Sequence, residues 1–243
     1  MNPARRVFLQ RSAALSPALF LAPGLFAQEL EKTLRRTPAQ TEGPFYPDQL
    51  PLDTDNDLLV LNDASTPALG EVTHLSGRVL TAAGEPVRGA TVEIWQADAN
   101  GNYIHTRGGD AARRDAGFQG FGRFLTDSTG RYYFRTIKPV PYGGRTPHIH
   151  LAVNRKNERL LTTQCYVKGH PRNGRDGVLR GTPQDQVERL MVNFEPLKDS
   201  AAGEYAAAFD VVLGGTPADP GAADVGAAAR PAGRRLGRGF TPA

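Results

Sequence analysis

From about residue 72 the chain alternates short runs of β-branched and aromatic residues with turn-forming clusters, and no long stretch keeps a helical period. Runs at 73–80, 90–97, 131–137, 148–154, 160–167 and 207–213 predict strands, with turns at Ala83-Gly84-Glu85-Pro86 and Ser128-Thr129-Gly130. The best helical stretch, 184–193, is short. Side chains alternate along a strand, so Ile149, Leu151 and Val153 share one face of the fourth run and His148 and His150 share the other. The pattern predicts an all-β fold: an antiparallel β-sandwich with long irregular loops and little helix. Residues 28–71 are expected to be irregular, because Gln40-Thr41-Glu42-Gly43-Pro44-Phe45-Tyr46-Pro47 is too rich in proline for a helix or a central strand. A Gly-rich loop is expected at 108–122, near any site. The Ala/Gly/Pro/Arg-rich segment 216–243 predicts a disordered tail, leaving one domain over 28–215.

Composition changes this picture at the ends. The formal charge of +4 is unevenly spread: Arg5, Arg6 and Arg11 lie in a first 27 residues free of Asp and Glu, and four Arg face two Asp from residue 216 on. The part between is close to neutral and shows no basic stripe interleaved with aromatics, which argues against a nucleic-acid partner. Ala4-Arg5-Arg6-Val7-Phe8-Leu9-Gln10 is a twin-arginine pattern, followed by an apolar run from Ala13 to Ala27 that Pro17 and Pro23 interrupt. It is short for a spanning helix and predicts a signal peptide over 1–27. That signal implies export of a folded protein to the periplasm or the extracellular space. The single cysteine, Cys165, excludes an intrachain disulfide and a cysteine-rich metal site. Asp53, Asp55 and Asp57 resemble the start of a calcium loop, but Leu58 and Ala64 stand where such a loop needs Gly and Glu.

The candidate chemistry lies in His148 and His150 together with Tyr103 and Tyr142. A phenol with an ordinary pKa near ~10 is a poor donor to most divalent ions. A hard trivalent cation stabilises the phenolate, and tyrosinate is a known axial donor to ferric iron. Two tyrosinates and two imidazoles around Fe(3+) leave one positive charge. A hydroxide can cancel it, and a catecholate can replace that hydroxide and one tyrosinate. Ferrous sites of the two-His-one-carboxylate type need an acid that Arg145–His150 lacks.

Further motifs carry a resemblance. They are Gly77-Arg78-Val79, Gly84 through Ala90, Val92-Glu93-Ile94-Trp95-Gln96-Ala97-Asp98-Ala99-Asn100-Gly101-Asn102-Tyr103, and Phe118 through Arg123. Tyr133 through Pro139, Arg145 through His150, Thr163-Gln164-Cys165-Tyr166 and the upstream Thr41–Pro47 complete the set. In this order, over roughly residues 40–213, they resemble the intradiol ring-cleavage dioxygenases, and the protocatechuate 3,4-dioxygenase branch above all. The resemblance implies a mononuclear non-haem Fe(III) site with Tyr103 and His148 equatorial and Tyr142 and His150 axial. It implies a small-molecule catechol and O2 as substrates, a muconate-type product, and a homo-oligomer. Tyr142 would leave the metal and act as a base. Arg145 would lie over the ring and stabilise developing charge, and Gln164 would hydrogen-bond near that arginine or the oxygen site. Gly143-Gly144 departs from the branch, whose members carry a longer loop with a Trp there, so this chain resembles its shorter-loop, secreted members.

Other readings stand beside these. His105, near Tyr103 and on the same face if a strand runs there, is a rival donor expected at the surface or behind the ligands. Trp95, Tyr132 and Tyr133 are expected to pack, and Asp98, Asp115 and Asp127 to serve turns. The Gly77–Val92 rhythm also resembles transthyretin-like domains, so a metal-free exported binding module is the alternative function.

Overall fold

The computed structural model describes residues 34–61, 66–156 and 158–214. The predicted segments 1–27 and 216–243 lie outside them. Among the described residues ten strands form two five-stranded sheets. The first sheet joins β1 (Val72–Leu80), β4 (Arg131–Ile137), β8 (Phe194–Pro196), β9 (Tyr205–Ala208) and β10 (Val211–Val212). The second runs in the order β3 (Phe121–Leu125), β2 (Thr91–Trp95), β5 (His148–Arg155), β6 (Glu158–Val167) and β7 (Met191–Val192).

The sandwich is as expected, with two refinements. Its sheets are mixed, because β1 pairs in parallel with β9 and β10, and β6 with β7. The predicted helix 184–193 is broken: α1 (Gly177–Arg180) precedes α2 (Gln184–Val187), a 3-10 turn covers Glu188–Leu190, and Met191 and Val192 pair with Tyr166 and Val167. Strand β3 starts in the last two residues of the expected Gly-rich loop and continues past it. Its Gly122 hides the strand pattern for a reason: a Cβ there would lie 2.6 Å from the Asp55 carbonyl and 2.7 Å from Leu58.

The alternation seen in the sequence sorts side chains onto two faces of the second sheet. Val92, Ile94, Ile149, Leu151 and Val153 point between the sheets, where they meet Leu75, Val79, Phe134 and Val211 in the main core. The opposite face is buried too. There Trp95, Phe121, Ala152 and Tyr103 form a second cluster, against which Phe45, Tyr46, Ile104 and Tyr142 pack. What covers this outer face is the irregular segment before β1. Residues 34–48 run as a strap over both sheets, with amide bonds from Leu34 to Ala82, Thr37 to Val212 and Gln40 to Thr162. The Asp53, Asp55 and Asp57 carboxylates accept from the amides of Asp55, Asp57 and Leu59, an Asx-turn series.

Tyr132 is fully packed as expected, and its hydroxyl donates to the Phe209 carbonyl where the chain crosses from β9 to β10. Gly77 lies beneath that crossing. A Cβ at Gly77 would overlap the Phe209 carbonyl and come within 2.8 Å of the Tyr132 hydroxyl. Gly77→Ala is therefore expected to destabilise the fold by about 2–3 kcal/mol through overpacking. The measurement is the urea unfolding midpoint, and an unchanged value would mean that the crossing does not press on β1.

Candidate metal centre

Strand register delivers the two histidines with their neighbours fixed. Trp95 on β2 and Gln164 on β6 lie directly opposite His150, and Tyr166 lies opposite His148. Directly opposed residues share a sheet face. The imidazoles therefore project from the outer face of the second sheet, flanked by an indole, a carboxamide and a phenol.

Tyr103 and Tyr142 arrive on loops. The Asp98 carboxylate organises the first by accepting from the amides of Asn100 (2.9 Å), Asn102 (2.9 Å) and Asp115 (2.7 Å). Tyr103 follows, its amide bonded to the Gly108 carbonyl at 2.7 Å. Gly108 must lack a side chain, since a Cβ there would sit 2.6 Å from that of Tyr103. Asp98, Asp115 and Asp127 are turn carboxylates, as expected. No strand forms at 103–105. His105 is buried rather than superficial, with Nδ1 accepting from the Arg107 amide at 2.9 Å and Nε2 3.8 Å from Asp48. The second loop ends in a two-residue turn. Gly143 and Gly144 have φ of +48° and +85°, and the Arg145 amide donates to the Tyr142 carbonyl at 2.7 Å. Two successive positive φ angles mark a type I′ geometry, which favours glycine at both positions. This turn sets Tyr142 and Arg145 side by side.

The four expected donors converge. Their rings form a closed circuit, with centroids 5.0 Å apart for Tyr103–Tyr142, 5.4 Å for Tyr142–His148, 4.8 Å for His148–His150 and 6.1 Å for His150–Tyr103. The Tyr142 hydroxyl is 3.4 Å from His148 Nε2, and the two Nε2 atoms are 3.2 Å apart. His148 Nδ1 lies 2.7 Å from the Thr146 carbonyl, which can only accept. The proton is thus on Nδ1, and the Nε2 lone pair faces inward. The Tyr103 hydroxyl and His150 Nδ1 are buried with no hydrogen-bond partner.

Charge follows from this burial. Desolvation, then the Arg145 guanidinium, pushes His148 down to about 4. Desolvation, with His148 and Arg145 behind it, holds His150 well below the ordinary histidine range. Both imidazoles are neutral donors at pH 7. Burial, reinforced by Tyr142, raises the Tyr103 phenol, and burial raises Tyr142. Neither phenol ionises here without added positive charge. Among the described residues no group of three or more His, Cys, Asp or Glu could hold a metal. A cation at this centre would draw half its donors from phenols, which selects a hard, highly charged ion. With metal–nitrogen bonds of about 2.1 Å, nitrogens 3.2 Å apart suit adjacent positions on one ion.

Arg145 and Gln164 stand beside the circuit. Arg145 donates from Nε to Asp176 at 2.7 Å and from a terminal nitrogen to Gln164 Oε1 at 2.8 Å. Gln164 Oε1 also accepts from the Tyr166 hydroxyl at 2.7 Å, and its amide nitrogen donates to the Thr41 carbonyl of the strap at 2.7 Å. Asp176 and Tyr166 carry no assigned role in the sequence reading. Asp176 is fully buried, accepts from the Thr146 amide at 2.9 Å, and caps α1 through the amides of Val178 and Leu179. Its signal in the sequence is an N-cap Asp before Gly177-Val178-Leu179, which says nothing of an arginine 31 positions earlier. Trp95 is core as expected, but it also stacks on His150, at 4.8 Å and 11° between ring planes.

Comparison with known proteins identifies the family. A family model described as Dioxygenase matches residues 41–215. The beta chain of protocatechuate 3,4-dioxygenase from Burkholderia cepacia is 39% identical over 161 residues, covering 63% of this chain and 68% of that one. Catechol 1,2-dioxygenase from Acinetobacter baylyi is 31% identical over 193 residues, covering 68% of this chain, which spans only 60% of that relative. Among solved structures, the dioxygenase domain of a dioxygenase–carbohydrate-binding fusion from the cellulolytic Streptomyces sp. SirexAA-E superposes with a TM-score of 0.56 at 31% identity. That match covers 75% of this chain and all of the other.

The depressed His148 fixes a pH dependence for the metal-free protein. Unfolded, this residue binds a proton below pH 6.5; folded, it does so only near pH 4. The unfolded state therefore holds more protons between these values, and stability falls as the pH drops through that window. His148 alone contributes on the order of 3 kcal/mol to the loss. Urea unfolding of wild type and His148→Asn at pH 7 and 4.5 checks this, and an equal loss in both would mean that His148 is solvated.

Proposed function

We propose that this chain, which belongs to the intradiol ring-cleavage dioxygenases, holds one ferric ion between Tyr103, Tyr142, His148 and His150. It would use this ion to open a catechol-type aromatic with O2. Each carboxyl of the muconate-type product keeps one original oxygen and gains one from O2. The carrying observation is the closed circuit of two neutral imidazoles and two phenols, with the two Nε2 atoms 3.2 Å apart. When bound, ferric iron would ionise the phenols and a chelating catechol and make the aromatic ring reactive toward O2.

The protein's own groups divide the remaining work. Tyr103 is buried within the loop at 98–108 and its hydroxyl has no hydrogen-bond partner, so it is the fixed phenolic donor. Tyr142 is only partly buried, on a Gly-Gly turn whose two glycines have open space around them. It is the phenolic oxygen placed to take a proton from an incoming catechol hydroxyl. Arg145 is held by Asp176 and Gln164, so its charge is aimed before substrate arrives and stabilises negative charge developing on the ring. Phe45 lies 5.2 Å from Tyr103 and 6.3 Å from Tyr142 and keeps water from that side. Export of the folded, metal-loaded protein through the twin-arginine segment at 1–27 belongs to the same proposal.

Ferric reconstitution is expected to give a burgundy protein from tyrosinate-to-iron charge transfer. Tyr142→Phe should shift or bleach the band, and His150→Ala should lose iron. Arg145→Ala should keep iron and colour while turnover falls about 10²–10³-fold. The measurements are the visible spectrum, iron content and oxygen uptake on a panel of catechols, with muconate rather than a yellow semialdehyde as product. A protein that stays colourless with ferric iron and consumes no oxygen would sink the proposal.

A further inference from the structure

We infer that Trp95 and Gly43 act together as a clamp, without hydrogen bonds, that orients the His150 imidazole. The inference rests on the proposed function only in taking His150 as a metal donor. Metal-binding histidines almost always fix their ring by donating the other N–H to a carbonyl or carboxylate. His148 does so, through Thr146. His150 does not: Nδ1 is buried and unpartnered, although the residue is 1% exposed. Something other than a hydrogen bond must then set its ring angle.

The surroundings supply it. The Trp95 indole, directly opposite on β2 and itself fully buried, lies nearly parallel to the imidazole at 4.8 Å. From the strap, Gly43 closes on the edge of the ring. It sits at φ +71°, and a Cβ there would come within 3.3 Å of His150 Cε1. One jaw belongs to the sheet and cannot shift without breaking register. The other is held through its neighbours. Glu42 pairs with Arg159 at 3.1 Å, and Tyr46 donates to Glu93 at 3.1 Å. Glu93 is buried between Arg123 (2.8 Å) and Arg159 (3.2 Å), two residues before Trp95 on the same strand face. The ion pairs at Glu93 thus keep the strap jaw closed on the ring that the indole supports. Trp95 and Gly43 are positioning residues that act through His150.

Two readouts test this. In the iron-free protein the His150 ring protons should be shifted upfield by the Trp95 ring current in the proton NMR spectrum, and Trp95→Leu should abolish the shift. In the ferric protein Trp95→Leu should release iron to a chelator about 10–100-fold faster, the range for losing an orienting partner of a ligand. Trp95→Phe should restore most of the retention, and Gly43→Ala should displace the charge-transfer band. If Trp95→Leu does not fold, Trp95→Phe and Gly43→Ala carry the comparison, since a partial shift and a displaced band are each expected of the clamp. Unshifted His150 protons in the wild type, or a folded Trp95→Leu variant with wild-type iron release, overturns the inference. A wild type that takes up no ferric iron overturns the proposed function instead, and the proton spectrum still decides the clamp.

Discussion

The register of β5 between β2 and β6 is the constraint on which the rest depends. One residue of slip would exchange the faces of this strand, sending Ile149, Leu151 and Val153 outward and His148 and His150 into the main core. The apolar row that prevents the slip also aims the imidazoles, so the core and the candidate metal centre are specified by the same eight residues. The register reaches further through the residues opposite. Trp95, His150 and Gln164 form a row across three strands, and Gln164 passes the alignment to Arg145 on one side and to the strap on the other.

Burying so many polar groups on one sheet face has an energetic logic. Neutral at pH 7, the imidazoles avoid the cost of a buried charge, as do the protonated phenols, while the unpartnered His150 Nδ1 and Tyr103 hydroxyl each still carry a desolvation cost of about 1–3 kcal/mol. The charged groups nearby come in saturated sets. Asp176 accepts four hydrogen bonds, and Glu93 faces two arginines and a phenol. Breaking such a buried pair strands a charge and costs far more than the pair contributes. These networks therefore fix geometry more than they add stability. They surround a cluster in which the Tyr103 hydroxyl has no hydrogen-bond partner and the two Nε2 atoms face each other at 3.2 Å.

Much of this was legible in the sequence, and the rest was hidden for identifiable reasons. Strands β1, β4, β5 and β6 stood out because alternation and β-branched residues mark them over seven or more positions. Strand β3 was missed because Gly120 and Gly122, needed for close approach of other chain segments, erase its pattern. The run 207–213 broke into two strands where Phe209 and Asp210 cross over Gly77, an event that local propensity does not encode. Tyr103, Tyr142, His148 and His150 could be picked out together because their chemistry is uncommon and His148–His150 spacing suits one strand face. Asp176 and the stacking of Trp95 could not, since each depends on a pairing made only once distant segments meet. His105 sits on a loop rather than a strand and is buried, which removes the surface alternative of the two positions expected for it.

The strap carries a consequence for biosynthesis. Residues 34–48 leave the ribosome before any strand of either sheet, yet they bond to Thr162, Gln164 and Val212, which are made long afterwards. The wall over His150 therefore cannot complete its docking until translation has passed β6, and the Thr37 end of the strap waits for Val212. The cover is made before every strand it joins and is among the last parts to find its place.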